Sequence, residues 1–180
     1  MPALARVAIR EELDAAADVL RRAGVDRAEN DAEWLLAALL GVGRFALYLS
    51  PERDLPETVV EAYRAAVGRR ARREPLQRIL GWEEFRGLRF GLTEAVLVPR
   101  PETEALADVA LGLLPPVAVG YRPLVIDVGT GAGCLACALA AERPDVDVVA
   151  IDVCPAAATI ARENASRLGL ARQVRVMAST

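Results

Sequence analysis

Val125-Ile126-Asp127-Val128-Gly129-Thr130-Gly131-Ala132-Gly133 decides the fold. Apolar residues around a single acid read as a short buried strand. The glycines that follow at once let the backbone turn tightly and come close to a ligand. With Leu124 to Val128 as the first strand, the spacing beyond the turn predicts a helix over about Cys134 to Glu142 and a strand over Val146 to Ile151. A helix over Pro155 to Leu168, stopped by Gly169, and a strand over Val174 to Met177 follow. Short apolar strands alternating with helices make a parallel sheet of right-handed βαβ units, so the class is α/β with a Rossmann-like sheet. Such sheets bind ligands beyond the carboxyl ends of their strands, where the glycine turn lies.

The second strand runs into Ile151-Asp152, 25 positions after Asp127. An acid at that tip can accept both hydroxyls of a ribose. A dinucleotide fingerprint, G-x-G-x-x-G, needs its third glycine where Cys134 stands; here it falls one earlier, at Gly133, and Asp127 precedes Gly129 by two. That acid sits poorly beside a pyrophosphate. It suits a cationic ligand such as S-adenosylmethionine, which carries an ammonium and a sulfonium. A dinucleotide site, or a tight turn with no ligand, stands as the alternative.

Composition narrows the chemistry. The chain has 180 residues with 25 acidic and 22 basic side chains, every basic one an arginine, three cysteines and no histidine. It therefore holds no Ser-His-Asp or Cys-His nucleophile system, no His-ligated metal centre, no Schiff-base lysine and no Walker A lysine. At 53% hydrophobic and 26% charged it is globular. A net charge of −3 and 4% aromatic content give neither an electrostatic reason to bind nucleic acid nor many platforms for stacking bases. The longest uncharged run, Val128 to Ala141, includes three glycines and is too short to span a bilayer. Arg6, Arg10, Glu11 and Glu12 interrupt any apolar signal-peptide core. A cytoplasmic protein with free thiols is the expectation. Cys134-x-x-Cys137 is a candidate redox pair, or part of a metal site with Cys154. On a helix expected to face the sheet, and with no histidine to help, these read as buried, inert thiols, and no metal site is expected.

Toward the N-terminus, residues 1–74 read as a small helical domain that binds substrate or partner. Leu4, Val7, Leu13, Ala16, Ala17 and Leu20 recur at helical spacing before Gly24; a second helix spans about Asn30 to Leu40, ahead of Gly41. A short turn covers Phe45 to Leu49. A third helix runs from after Pro56 through Val59, Val60, Tyr63 and Val67 to Arg69, Arg70, Arg72 and Arg73. That arginine run fits a solvated helix C-terminus, where cations oppose the dipole, better than a site for RNA or an acidic partner. Residues 75–98 read as a β-hairpin linker: Ile79-Leu80, Phe85, Leu88, Phe90 and Leu92 lie among Gly81, Gly87 and Gly91, with Gly87 near the turn. Residues 99–180 form the sheet domain. Pro99-Arg100-Pro101 breaks the chain, and Glu102-Thr103-Glu104 opens a helix to about Leu114 with its acids at the positive end.

Pro75-Leu76-Gln77-Arg78-Ile79, Gly81, Glu84-Phe85, Gly87, Phe90 and Val96-Leu97-Val98-Pro99-Arg100-Pro101-Glu102-Thr103-Glu104 precede the glycine turn in order. Together with Asn164-Ala165 and Leu168-Gly169-Leu170, they resemble the HemK/PrmC family, the glutamine methyltransferases of peptide chain release factors. The resemblance is dense over about residues 75 to 177. It implies that Asp127, Gly129, Thr130, Gly131, Ala132 and Gly133 hold the methionine end of S-adenosylmethionine, and Asp152 its ribose. It implies that Arg100 to Glu104, Arg100 and Glu102 among them, lie near the cofactor mouth, and it makes Phe85 and Phe90 candidates for the substrate side. The implied reaction moves the sulfonium methyl to the side-chain amide nitrogen of the glutamine in a Gly-Gly-Gln loop. That transfer needs alignment and hydrogen bonds to the amide rather than a covalent intermediate, so histidine and lysine are dispensable.

The family grips the amide with an Asn-Pro-Pro-Tyr motif after its fourth strand, and these 180 residues do not contain it. No catalytic residue is therefore assigned. The family's adenine-contacting acid aligns with Ser179 or Thr180. The expectation is a C-terminally truncated chain with the cofactor half of the site, an incomplete sheet, and an apolar open edge at Leu124–Val128 that invites aggregation. Two alternatives are an adenine-N6 DNA methyltransferase-like enzyme, which poses a similar amine problem, and a non-catalytic partner-binding fragment.

Overall fold

The computed structural model describes residues 7–117 and 119–179; Leu4, Arg6 and Thr180, which figure in the sequence reading, lie outside them. The chain divides into two compact units, up to Leu80 and from Gly81 onward.

In the first unit, β1 (Val7–Ala8), α1 (Ile9–Arg22), α2 (Ala28–Leu40), α3 (Phe45–Leu49), β2 (Asp54–Leu55), α4 (Glu57–Ala71) and α5 (Leu76–Leu80) follow in order. Leu20, Leu35, Leu36, Leu47 and Tyr63 fill its core. The buried Tyr63 hydroxyl satisfies itself by donating to the Ala32 carbonyl at 3.1 Å. Two buried acids have arginine partners: Arg70 Nε donates to Asp31 at 2.7 Å and Arg64 Nε to Glu12 at 3.2 Å. Arg69 pairs with Glu74. The arginine run thus closes α4 and ties it back onto its own unit. The Arg44 guanidinium lies 4.6 Å from the centre of the Trp34 ring. No strand was expected in this region. The β1–β2 bridge pairs two residues with two, Val7 opposite Leu55, which is too short for a period-2 signal. Phe45–Leu49 is one helical turn rather than an irregular one. Ile79 and Leu80, expected with the hairpin, instead end α5 and pack on this core, because Pro75 opens that helix and Gly81 at φ +76° closes it.

The second unit begins with an antiparallel hairpin, β3 (Trp82–Phe85) and β4 (Leu88–Gly91), in register Trp82 to Gly91 and Phe85 to Leu88. Its two turn residues, Arg86 and Gly87, both have positive φ, the mirror-image turn that matches strand twist. Arg86 is held there from all sides. Its amide donates to Glu104 Oε1 at 2.9 Å, and its guanidinium reaches Asp108 at 2.7 Å and Glu142 at 2.5 Å. On β3 and β4 the Arg89 guanidinium covers the Trp82 ring at 4.0 Å.

Then come α6 (Pro101–Leu113), β5 (Leu124–Val128), α7 (Cys134–Glu142), β6 (Asp147–Asp152), α8 (Pro155–Arg167) and β7 (Val174–Ala178). The three strands pair in parallel in the order β5-β6-β7, with Asp127 opposite Ala150 and Asp152 opposite Ala178. This is the α/β arrangement expected from the spacing. Val148 and Ala150 on β6, Ala136 and Cys137 on α7, and Ala158 and Ala161 on α8 are fully buried. β5 is an edge strand on which Leu124, Ile126 and Val128 are 61%, 59% and 78% exposed. Among the described residues no helix is long and apolar enough to cross a membrane, and no three metal-ligating side chains converge.

Candidate functional site

The strand tips of the second unit open into a cleft of about 440 Å³. One wall is the glycine turn, between the end of β5 and the start of α7. The other is Val96 to Pro99 with Arg100, Thr103 and Leu106 of α6. Folding of the turn follows from its bonds to the end of β6. The Gly129 and Thr130 amides both donate to the Ile151 carbonyl, at 2.8 and 3.0 Å. The Gly131 amide donates to Asp152 Oδ2 at 2.9 Å, and the Gly133 amide to the Thr130 carbonyl at 2.9 Å. Gly133 is required on two counts: its φ is +81°, and a Cβ there would lie 3.2 Å from Ala161 Cβ.

Because those four amides are spent inside the protein, the turn does not offer them to a phosphate. It offers carboxylates instead. Asp127 is 9% exposed and lines the cleft, accepting the Thr130 hydroxyl at 2.6 Å. Burial pushes its carboxyl above the usual range; the Thr130 hydroxyl opposes that shift, and the nearby Asp152 charge adds to it. Asp152 also accepts the Cys154 amide on Oδ1 at 2.9 Å, so both its oxygens are fixed in place. Each carboxylate oxygen has two acceptor positions, which leaves capacity for ligand hydroxyls. Two acids on neighbouring parallel strands make the floor of the cleft negative, which suits a cation and repels a diphosphate.

A second cleft, about 380 Å³, lies in the first unit between α1, α2 and α3. Its Glu29 and Glu33 are engaged by Arg21, Arg44 and Tyr48.

Of the residues singled out from the sequence, Asp127, Gly129, Thr130, Gly131, Ala132, Asp152 and Arg100 converge on the cleft. Gly133 stands just behind it at the head of α7, where it shapes the turn. Glu102 is exposed on the first turn of α6 and does not line the cleft; Thr103 and Leu106 do. Glu104 faces Arg86 instead. Phe85 and Phe90 need correction as substrate-side residues. They are 2% and 0% exposed and meet edge to face at 6.2 Å, so they are hairpin core with no surface to offer a substrate. Leu106 and Val96 to Pro99 were missed. The spacing of Arg100, Thr103 and Leu106 along one helix flank is the signal that points to Leu106. Cys134 and Cys137 are buried, and burial pushes both thiols up, Cys137 to about 12.

The model of the PrmC N-terminal domain matches residues 11–81, and that of the methyltransferase small domain matches residues 112–180. The release factor glutamine methyltransferase of Geobacter sulfurreducens is 43% identical over 161 residues, 89% of this chain and 55% of that protein. The chain thus matches a PrmC N-terminal domain ahead of a methyltransferase small domain. The release factor glutamine methyltransferase of Koribacter versatilis is 40% identical over 168 residues, 93% of this chain and 59% of that protein. A solved SAM-dependent methyltransferase from Geobacter sulfurreducens, in complex with S-adenosyl-L-homocysteine, is 26% identical over 44% of this chain and 29% of that one, with a TM-score of 0.36. The chain spans 55% and 59% of the length of the two relatives.

Proposed function

We propose that the cleft holds S-adenosylmethionine and that the protein transfers its methyl to the side-chain amide nitrogen of the glutamine in the Gly-Gly-Gln loop of a peptide chain release factor, in the cytoplasm. One observation carries the cofactor half of this reading: a glycine turn whose Gly129, Thr130, Gly131 and Gly133 amides are consumed internally, beside the cleft-lining carboxylates of Asp127 and Asp152. The residues present fit the cofactor. Asp127, with Thr130 fixing its carboxylate, takes the ammonium of the methionine end, and Gly129 and Gly131 allow close approach. Asp152 accepts the ribose hydroxyls, and Val96 to Pro99 with Leu106 form an apolar cover. Arg100 stands at the rim, with Glu102 outside it. Once bound, S-adenosylmethionine supplies an electrophilic methyl on a cationic sulfur. The protein's share is to exclude water and hold the donor for in-line attack.

The identity to release factor glutamine methyltransferases supports the choice of acceptor. Within these 180 residues the Asn-Pro-Pro-Tyr grip on the amide does not occur, so they supply the cofactor half of the site. Calorimetry on the 180-residue chain should register binding of S-adenosylmethionine. Incubation with labelled S-adenosylmethionine and a release factor should leave the factor unlabelled. Absence of binding by a folded chain refutes the cofactor assignment, and robust methylation by the 180 residues alone refutes the division of the site.

A further inference from the structure

The face that α8 turns inward is built from Ala157, Ala158, Ala161 and Ala165, with one amide among them, Asn164, 1% exposed. Every polar atom of that side chain is engaged. Its Oδ1 accepts the Gly91 amide at 2.8 Å and Arg167 Nη2 at 3.0 Å. Its Nδ2 donates to the Gly91 carbonyl at 3.0 Å and to the Ala132 carbonyl at 2.9 Å. Towards Gly91 the amide behaves as a strand neighbour, exchanging both backbone bonds; its remaining N–H reaches into the glycine turn. Gly91 ends β4 and leads through Leu92 into Val96 to Pro99, one wall of the cleft. Ala132 belongs to the other wall.

We propose that Asn164 is a positioning residue that sets the separation of the two cleft walls, and so governs cofactor affinity without touching the cofactor. This rests on the reading of the cleft as the S-adenosylmethionine site. Only a primary amide meets the geometry. It supplies two donors for two carbonyls and an acceptor for an amide, whereas aspartate sets a charge against both carbonyls and leucine leaves all three backbone groups unpartnered. Gly91 fits the same design, since a Cβ there would stand 3.3 Å from Asn164 Oδ1.

The test compares Asn164→Ala and the milder Gly91→Ala with Val174→Ala, a buried β7 position remote from the cleft, at a temperature where circular dichroism shows each folded. Asn164→Ala should weaken S-adenosylmethionine binding about tenfold, and Gly91→Ala should weaken it less, while Val174→Ala stays within about twofold. Without ligand, hydrogen exchange should accelerate in Asn164→Ala both at Gly91 and across residues 129–133, and not in Val174→Ala. Equal loss of affinity in Val174→Ala, or unchanged exchange in the turn, overturns the proposal. If Asn164→Ala does not fold, Gly91→Ala carries the same comparison. If the wild-type protein binds no S-adenosylmethionine, the proposed function fails, and the exchange data alone decide whether Asn164 couples the walls.

Discussion

Asp152 accepts the backbone amide of Gly131 at 2.9 Å, so the acid at the tip of β6 fixes the middle of the glycine turn before any ligand arrives. Its role is double: it shapes the turn on one side and faces the cleft on the other. Replacing Asp152 with alanine should remove two charge-assisted bonds and lower the unfolding free energy by about 1–3 kcal/mol. Urea denaturation followed by circular dichroism reads that change. In the folded variant, S-adenosylmethionine binding should fall at least about tenfold in calorimetry. An unchanged affinity would remove Asp152 from the site.

Asp127 gives a pH dependence whose sign is fixed by its burial. Its carboxyl titrates higher in the folded protein than in the unfolded chain, so the folded state binds the proton more tightly. That contribution to stability is complete below the unfolded value of about 3.9 and is lost as pH rises through the raised folded value. Asp127→Asn, which still accepts the Thr130 hydroxyl, should therefore be more stable than wild type at neutral pH and unfold at a higher temperature. The same variant should lose affinity for the cationic cofactor. Wild-type affinity should weaken as pH falls through the raised value, with protons released on binding. Equal melting temperatures at pH 7 would contradict this.

The glycines of the turn should separate stability from binding. Gly133→Ala meets Ala161 at 3.2 Å and is held at φ +81°, so it should cost about 2–4 kcal/mol in chemical denaturation. Gly131→Ala, at φ +55° with nothing within 4 Å of the added Cβ, should cost only about 1–2 kcal/mol. Its methyl enters the cleft wall, so its effect should appear mainly in the calorimetric affinity.

Thiol reactivity should follow burial. In the native protein Ellman's reagent should titrate Cys154 readily, and reach Cys134 and Cys137 only after denaturant is added. Rapid native labelling of all three would show that the α7 thiols are exposed or mobile.

The glycine turn, the three strands and both acids were legible because a period change and a glycine cluster are local signals. What escaped is set by which face of an element is covered. Phe85 and Phe90 alternate on a hairpin that has one buried face, and nothing local says which face that is. Glu102 and Thr103 are neighbours in the chain yet lie on different flanks of α6. Ile79 and Leu80 look like the start of a strand, and Pro75 and Gly81 make them a helix end. Asn164 was visible in the family resemblance, but its role depends on partners 73 and 32 residues away. A lone amide on an alanine face was the clue to it.

The two tryptophans fall one to each unit, Trp34 under Arg44 and Trp82 under Arg89. The molecule thus carries its own pair of optical reporters. With Trp34 replaced by phenylalanine, the remaining indole emission belongs to the hairpin of the second unit; with Trp82 replaced, it belongs to the helical unit. Events in the sheet unit and events in the helical unit can in this way be followed separately in the two single-tryptophan variants, with no label attached.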